Sequence, residues 1–435
     1  MAGSGALRAG LPGGRMIRRS RVLAVSGILA VSLFTLTACS HQETPEEFQK
    51  HLQERLIKAK SGDVIDLPAG KFHLDRTLSL TANGVTIRGK GMDQTVLTFA
   101  GQKEGASGLL VKANDFTAED FAIEDTAGDG LTVQGVDGVI IRRVRVEWTR
   151  GPNSGNGPYA IYPTQCKNVL VEDSVAKGAS DAGFYIGQSD NVVMRRNRSE
   201  YNVDGYEVEN AEHVDVYDNI AAHNSGGIGV FNLPDLPKQG GEHVRVFRNQ
   251  VYENNTPNFA PKSLGPIYFL PTGTGVYIMA IHDVEEFQNK IRDNNTTNVY
   301  IINYATALSD PIKDARFSPF ADHISLHDNE ISGGGKSPDT RLDGVKALMQ
   351  VGGGSLADII YDGVVDPKLA AGKSANAGQV CLANNGSPTF LNLDAANNFK
   401  HANGNLKPYG CSLPPLEAVK IPQAPDSSEK APGGQ

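Results

Sequence analysis

The stretch His213–Asn232, "HVDVYDNIAAHNSGGIGVFN", decides the fold. It holds V-x-V, an asparagine, a second asparagine five residues later, and a glycine followed by alternating apolar residues. Alternation marks each short stretch as a strand with one buried face. Asn and Gly between the stretches supply left-handed turn conformations. The first phrase recurs as "NVVMRRN" from Asn191, "HVRVFRN" from His243, "DVEEFQN" from Asp283 and "HISLHDN" from His323. Looser copies start at Gly84, Asp115, Gly138 and Asn168. From Asn191 onward the steps are 22, 30, 40 and 40 residues, so the unit is about 22 residues with insertions. The glycine phrase recurs as "GLTV" at Gly130, "GFYI" at Gly183, "GYEV" at Gly205 and "GVYI" at Gly275. One unit cannot bury its own apolar face; stacked units can, with neighbouring strands about 4.8 Å apart. Stacked asparagine amides would tie each turn to the next. The expected fold is all-β, a parallel β-helix with Val214 and Val216 inward and Asp215 outward.

The segment "SGDVIDLPAGKFHLDRTLSLTANGVTIRGKGMDQTVL", Ser61–Leu97, resembles the opening coils of right-handed β-helix proteins of the pectin-lyase-like group. The resemblance implies a right-handed β-helix over 61–366. It also implies a carbohydrate-related role, because the group includes polysaccharide lyases, hydrolases, C5-epimerases and carbohydrate-binding proteins. The chain lacks the tandem Asp-Asp arrangement of polygalacturonase-type hydrolases and the "DPHD" element of mannuronan epimerases. It is most similar to β-helix repeat lipoproteins, which leaves the reaction open. Ahead of the coils, "TPEEFQKHLQERLIKA" combines a capping box at Thr44 and Glu47 with helical spacing of Phe48, Leu52 and Leu56. That predicts a helix over 44–60 that covers the open end of the coil stack. The repeat stops after 366. Residues 367–419 read as an irregular C-terminal cap, and 420–435, rich in Pro, Ser and Gly, as a disordered tail.

The chain has 435 residues, a net charge of −8 and a pI near 5.7, a balance that excludes a nucleic-acid binder. Arg15, Arg18, Arg19 and Arg21 precede an apolar run from Val22 to Leu36, too short for a membrane span and flanked as an export signal. Translation starts at either Met1 or Met16. The run ends in "LTAC", Leu36–Cys39, which resembles the lipobox of bacterial lipoproteins. The resemblance implies a signal peptide over 1–39, cleavage before Cys39 and a lipid on its sulfur. Ser40 in place of Asp directs such a protein to the outer membrane of a Gram-negative cell. Disulfides survive in that compartment. Cys381 and Cys411 flank a compact loop-rich segment and are the expected pair, with Cys166 as a buried apolar residue.

Four long insertions, Glu147–Pro158, Phe231–Glu242, Asn255–Thr274 and Asn303–Ala321, all flank the glycine-phrase strand. They are expected to stand as walls beside one ladder, where binding and catalysis collect. Two rows on that ladder point outward. One reads Thr132, Tyr162, Tyr185, Glu207, Gly229, Tyr277 and Tyr300; the other includes Glu209, Phe231, Met279 and Ile302. Tyrosines suit stacking on sugar rings. Gly229 would let a ligand approach the backbone. Glu207 and Glu209 lie about 6.6–6.8 Å apart on one face. With Asp204 they supply either an acid and a base or a grip for Ca²⁺ on an anionic sugar. Among the loop cations, Lys262 is the candidate base and Lys238 a candidate partner for a substrate carboxylate. Catalytic candidates are therefore Asp204, Glu207, Glu209 and Lys262. Substrate-binding candidates are Tyr162, Tyr185, Tyr277, Tyr300, Phe231 and Lys238. No His has metal-ligand spacing, and no metal site is expected beyond a Ca²⁺ on the carboxylates. For each group a structural reading stands beside the functional one: turn aspartates, solvated glutamates, tyrosines stacked coil on coil. Two functions remain. One is a lipid-anchored uronate lyase or C5-epimerase acting on an acidic polysaccharide; the other is a non-catalytic glycan- or partner-binding β-helix of the cell envelope. A monomer is expected.

Overall fold

A computed structural model describes residues 44–308, 311–370 and 376–422. The expected signal peptide at 1–39 with its Cys39, and the tail from 423, lie outside the described residues. Each coil carries three strands, as in Glu212–Tyr217, Ile220–Ala222 and Gly226–Phe231. First strands stack on first strands in parallel register, Val214↔Val244↔Val284↔Ile324. Third strands stack likewise, Tyr206↔Ile228↔Val276↔Val299↔Ile359. These third strands form an 11-stranded sheet, termed here the site sheet. The ladders of first and second strands merge into a 19-stranded sheet, because Phe116–Glu124 and Asp137–Glu147 run through both. The result is a right-handed parallel β-helix.

Alternation places one face of every strand inside the coil. Val214, Val216, Val244, Val246, Val276 and Ile278 are all buried there. Phe184 and Tyr206 stack inside it, ring on ring, at 4.9 Å and 7°. Two asparagine ladders seal the corners. In one, Asn197, Asn219, Asn249, Asn289 and Asn329 each receive the next rung's carbonyl on their backbone N–H. In the other, Asn202, Asn224 and Asn254 do the same, and the ladder ends where the Asn294 N–H donates to Asn298 Oδ1 at 3.4 Å. All these rungs are buried, so every amide left without its neighbour would cost about 1–3 kcal/mol.

At the N-terminal end, helix α1 (Pro45–Lys58) lays Phe48, Leu52 and Leu56 on the first coil, with Thr44 and Glu47 closing a capping box. Gln53 locks it further by bonding the backbone of Ser79 in both directions. At the other end the coil runs on past 366. Val380–Ala383 pairs with the strand Asp322–His327, and Phe390–Asn392 pairs with Ile359–Tyr361. The segment 367–419, expected as an irregular cap, thus contains further strands of both sheets. A fifth insertion, between Ser332 and Ile359, carries the helix Asp343–Val351.

Cys381 and Cys411 are joined by a disulfide, and Cys166 is buried. From Cys411 the chain turns back as a strap along the outer face of the first-strand ladder. Asp215 points away from the core, yet it is only 3% exposed because the strap lies on it. The Val419 N–H donates to Asp215 at 3.3 Å, and the Leu416 N–H donates to Glu285 at 3.1 Å. Arg245 links the two, pairing with Asp215 at 3.1 Å and donating to the Leu416 carbonyl at 3.4 Å. Among the described residues no helix is long and apolar enough to cross a membrane.

Candidate functional site

The outward row of the site sheet has the register that the repeat spacing demands. Tyr162 pairs with Thr132, Tyr185 with Glu207, Glu207 with Gly229, Gly229 with Tyr277 and Tyr277 with Tyr300. In the second row Glu209 lies between Gly187 and Phe231. Stacking therefore brings together carboxylates from two neighbouring coils: Asp181 from one, Asp204, Glu207 and Glu209 from the next.

These groups are not solvated, which corrects the expectation of an open notch. Asp204 is 0% exposed, Asp181 and Glu207 4%, and Glu209 8%. Tyrosines cover them. The Tyr277 hydroxyl donates to Asp204 Oδ2 at 2.7 Å, and the Gly205 N–H holds the other oxygen at 2.9 Å. To reach Asp204 the Tyr277 ring lies over Gly229, where an added Cβ would stand 2.2 Å from its Cζ. The gap that Gly229 was expected to open for a ligand is thus filled by protein. Tyr185 lies likewise over Gly187, and its hydroxyl donates to Glu209. Asp181 interacts with Tyr159 and Glu207, and its Oδ1 is shielded from water without a hydrogen-bond partner.

Among the described residues no Lys or Arg pairs with any of the four carboxylates. Burial pushes all four carboxyls upward, and for Glu207 the charges of Asp181, Asp204 and Glu209 add to the effect. Two coils before Asp181, burial raises Asp129 to about 6. The phenols of Tyr159, Tyr185 and Tyr277 are also raised, by burial first and then by the neighbouring carboxylates. Packed carboxyls without counter-cations hold protons near neutral pH. The cluster therefore offers both donors and acceptors of protons in one dry place.

The insertions fold down more than they stand up. In the loop before strand Thr274–Met279, Ala260, Ile267 and Leu270 pack on Val203 beside Tyr277. A Cβ on Gly226 would sit 2.5 Å from Leu270 and 3.1 Å from Asp204, so this loop roofs the cluster. Lys262, placed by its sequence position as a base, opens the 3₁₀ segment Lys262–Phe269 on the outside of that roof. It is exposed and, among the described residues, makes no ion pair, so it does not join the cluster. Lys238 is also occupied, holding Glu212 at 3.0 Å and the Ser189 carbonyl at 3.1 Å, and is corrected from substrate ligand to loop stitch. Phe231 packs with Met279, Ile302, Tyr304 and Phe317 under the 303–321 insertion, with Tyr300 at its edge. Tyr300 and Phe231 are thus occupied by the protein's own loop.

The half-buried edge of the site lies on the other side. Tyr159 and Tyr162 stack at 4.4 Å and 13°, and Tyr185 meets both rings at 4.9 and 4.8 Å. Tyr159 and Asp181 belong to this site and were not among the sequence candidates. Tyr159 lies at the end of an insertion, off the repeat ruler, and Asp181 reads as an ordinary turn residue.

The family description "right handed beta helix region" matches residues 107–307. Comparison with curated protein sequences gives no match. Among solved structures, the A-module of a mannuronan C-5 epimerase from Azotobacter vinelandii is similar at 18% identity and TM-score 0.49, over 73% of this chain and 87% of that one. An alginate lyase from a Paenibacillus species is similar at 14% identity and TM-score 0.41, over 64% and 97%. The catalytic unit of an α-1,3-glucanase from Streptomyces thermodiastaticus is similar at 17% identity and TM-score 0.43, over 72% and 47%. Likeness at this level is silent on the reaction. With three strands per coil stacked in parallel and the matched region spanning the centre of the stack, the chain has the architecture of a right-handed parallel β-helix.

Proposed function

We propose that this β-helix acts on an acidic polysaccharide, as a uronate lyase or C5-epimerase, through the cluster of Asp181, Asp204, Glu207 and Glu209 with Tyr185 and Tyr277. The observation that carries the reading is four buried carboxyls, without a cation, in contact with phenols. Removing the C5 proton of a uronate requires that the sugar carboxylate be neutralised and that a base lie beside C5. A carboxyl held protonated donates a hydrogen bond to the sugar carboxylate without a Lys or Arg. A phenol already bonded to a carboxylate can pass its proton to that carboxylate as it takes the one from C5. Tyr277 with Asp204, and Tyr185 with Glu209, are two such pairs. The substrate class follows the β-helix group that the sequence resembles. Ca²⁺ on the ionised cluster is the alternative use of the same carboxylates.

The test is turnover of uronate polymers by the purified full chain, read both as new unsaturated ends and as inversion at C5. Glu207→Gln and Tyr277→Phe should each lower activity by about 10²-fold. Activity indifferent to both changes would move the chemistry elsewhere.

A second reading, a non-catalytic glycan binder, is favoured by one observation: Tyr277 and Leu270 close the space above the cluster. Binding would then use the Tyr159–Tyr162 edge. It should survive Glu207→Gln and weaken in Tyr162→Ala. Under either reading we place the protein at the cell envelope, anchored through Cys39.

A further inference from the structure

Two neighbouring columns of side chains run along the turn that opens each first strand. One reads Asp190, Glu212, Glu242, His282 and Asp322; the next residue of each coil reads Asn191, His213, His243, Asp283 and His323. The second column holds the left-handed conformation, with φ near 54° at His213, 56° at His243 and 55° at Asp283. Parallel register fixes the spacing from coil to coil, through Val244↔Val284 and His282↔Asp322. The columns therefore present imidazoles and carboxylates to one another on a rigid frame.

At two successive coils they converge. Glu242 Oε2 lies 2.8 Å from His282 Nε2, while Glu242 Oε1 lies 3.6 Å from His243 Nδ1. Asp283 Oδ2 lies 3.8 Å from His243 Nε2. One ligand atom each from Glu242, His243 and Asp283 falls within 4.8 Å of the others. The last two nitrogen–oxygen separations are too long for hydrogen bonds. Each approaches the span of about 3.3 Å between two ligands of a tetrahedral ion with bonds near 2.0–2.1 Å; because the two carboxylates face different nitrogens of one ring, a single ion takes one of those nitrogens together with both carboxylates, three atoms within 4.8 Å of one another. His243 Nδ1 is shielded from water and has no hydrogen-bond partner, a nitrogen left with its lone pair or proton unmet. The ring is held in place from behind by His213, stacked at 5.3 Å and 17°, and His213 is itself held by Asp190 at 3.0 Å. No Lys or Arg pairs with Glu242 or Asp283 among the described residues. In the neighbouring group Asp190–Glu212–His213, by contrast, Lys238 already neutralises Glu212.

We propose that Glu242, His243 and Asp283 bind one divalent transition-metal ion of the zinc type, with His282 orienting Glu242 by its hydrogen bond, so that the ion staples two successive coils where the 232–242 insertion returns to the helix. An imidazole ligand beside two carboxylates selects zinc-like ions over Ca²⁺ and Mg²⁺, which take oxygen ligands. Linear spacing concealed the site, because Glu242 and His243 are separated from Asp283 by a whole coil with its insertion.

The full chain, purified in mild detergent and stripped with a chelator, should take up one Zn²⁺ per molecule, with a rise in its thermal unfolding midpoint. Co²⁺ in its place should give a visible d–d spectrum of mixed nitrogen and oxygen ligation. His243→Ala and Asp283→Asn should each abolish the stoichiometric uptake and the Co²⁺ spectrum, while His323→Ala leaves both unchanged. Asp283→Asn keeps a polar side chain of the same shape at a left-handed turn position that Asn favours, so its far-ultraviolet circular dichroism should match the parent and separate lost ligation from lost fold. No uptake by the parent chain, or uptake that persists in both site variants, would overturn the proposal. Ca²⁺ binding in preference to Zn²⁺ would overturn it as well.

Discussion

Glu286 is the residue most at odds with its surroundings. It stands in the inward row between Val246 and Leu326, fully buried, with neither carboxyl oxygen bonded. Burial pushes its carboxyl up to about 8. A buried group without partners costs about 1–3 kcal/mol, so Glu286→Leu should stabilise the fold by about that amount in denaturant unfolding. The pH dependence has a definite sign. The folded-state pKa is raised, so the favourable protonated state is fully present below the unfolded value near 4.3 and is lost as pH rises through about 8. The same sign applies to Asp181, Asp204, Glu207 and Glu209, whose carboxyls are raised by burial. The thermal midpoint should therefore fall between pH 5 and pH 9, and less steeply in Glu286→Leu. A midpoint that climbs with pH over that window would refute the assignment. The alternation of "DVEEFQN" marks Glu286 as inward from sequence alone; that no partner reaches it is a property of the packed coil.

Among the elements, the asparagine ladders and the C-terminal strap contribute in different ways. Asn224 accepts from the backbone and side chain of Asn202, donates to the Ser199 carbonyl, and donates to Asn254. Asn224→Ala should cost at least about 2 kcal/mol, since it strands the buried donors of Asn202 and takes a donor from the Ser199 carbonyl and Asn254 Oδ1. Glu330→Ala, which removes an exposed partner of Lys290, should stay within about 0.5 kcal/mol. Equal losses in the two variants would mean the ladder adds nothing. The strap covers Asp215, Arg245 and Glu285 and is tethered at Cys411. Cys381→Ser together with Cys411→Ser should lower stability by about 2–4 kcal/mol and speed proteolysis within 411–420. Unchanged cleavage there would show that the strap is held by its hydrogen bonds alone. The ladders were legible as repeated Asn. The strap was not, because a Pro-rich segment with one Cys carries no periodicity to say where it lies.

For the whole molecule, the expectation that reaches furthest beyond the described residues is the anchor at Cys39. Cys39→Ser should shift the protein from the membrane fraction to the soluble fraction, because it removes the atom that would carry the lipid. A variant that still pellets with membranes would discard the lipobox reading. The same coil stack that makes the molecule stiff also sets the site. The Glu207 row exists only because each coil returns to one register.

Periodicity, turn residues and strand alternation were enough to specify the β-helix, the three strands per coil, the inward rows and the order of residues along the site sheet. Each of these depends on neighbours in sequence and on one repeated stacking operation. Burial of Glu207 and Asp204, the Tyr277 ring laid across Gly229, the roof formed by Leu270, the pairing of Lys238 with Glu212 and the convergence of His243 with Asp283 depended on the tertiary structure. These arise where insertions of unequal length fold back on a regular stack. Their apolar residues seek cover wherever the stack offers it, and no repeat governs where that is.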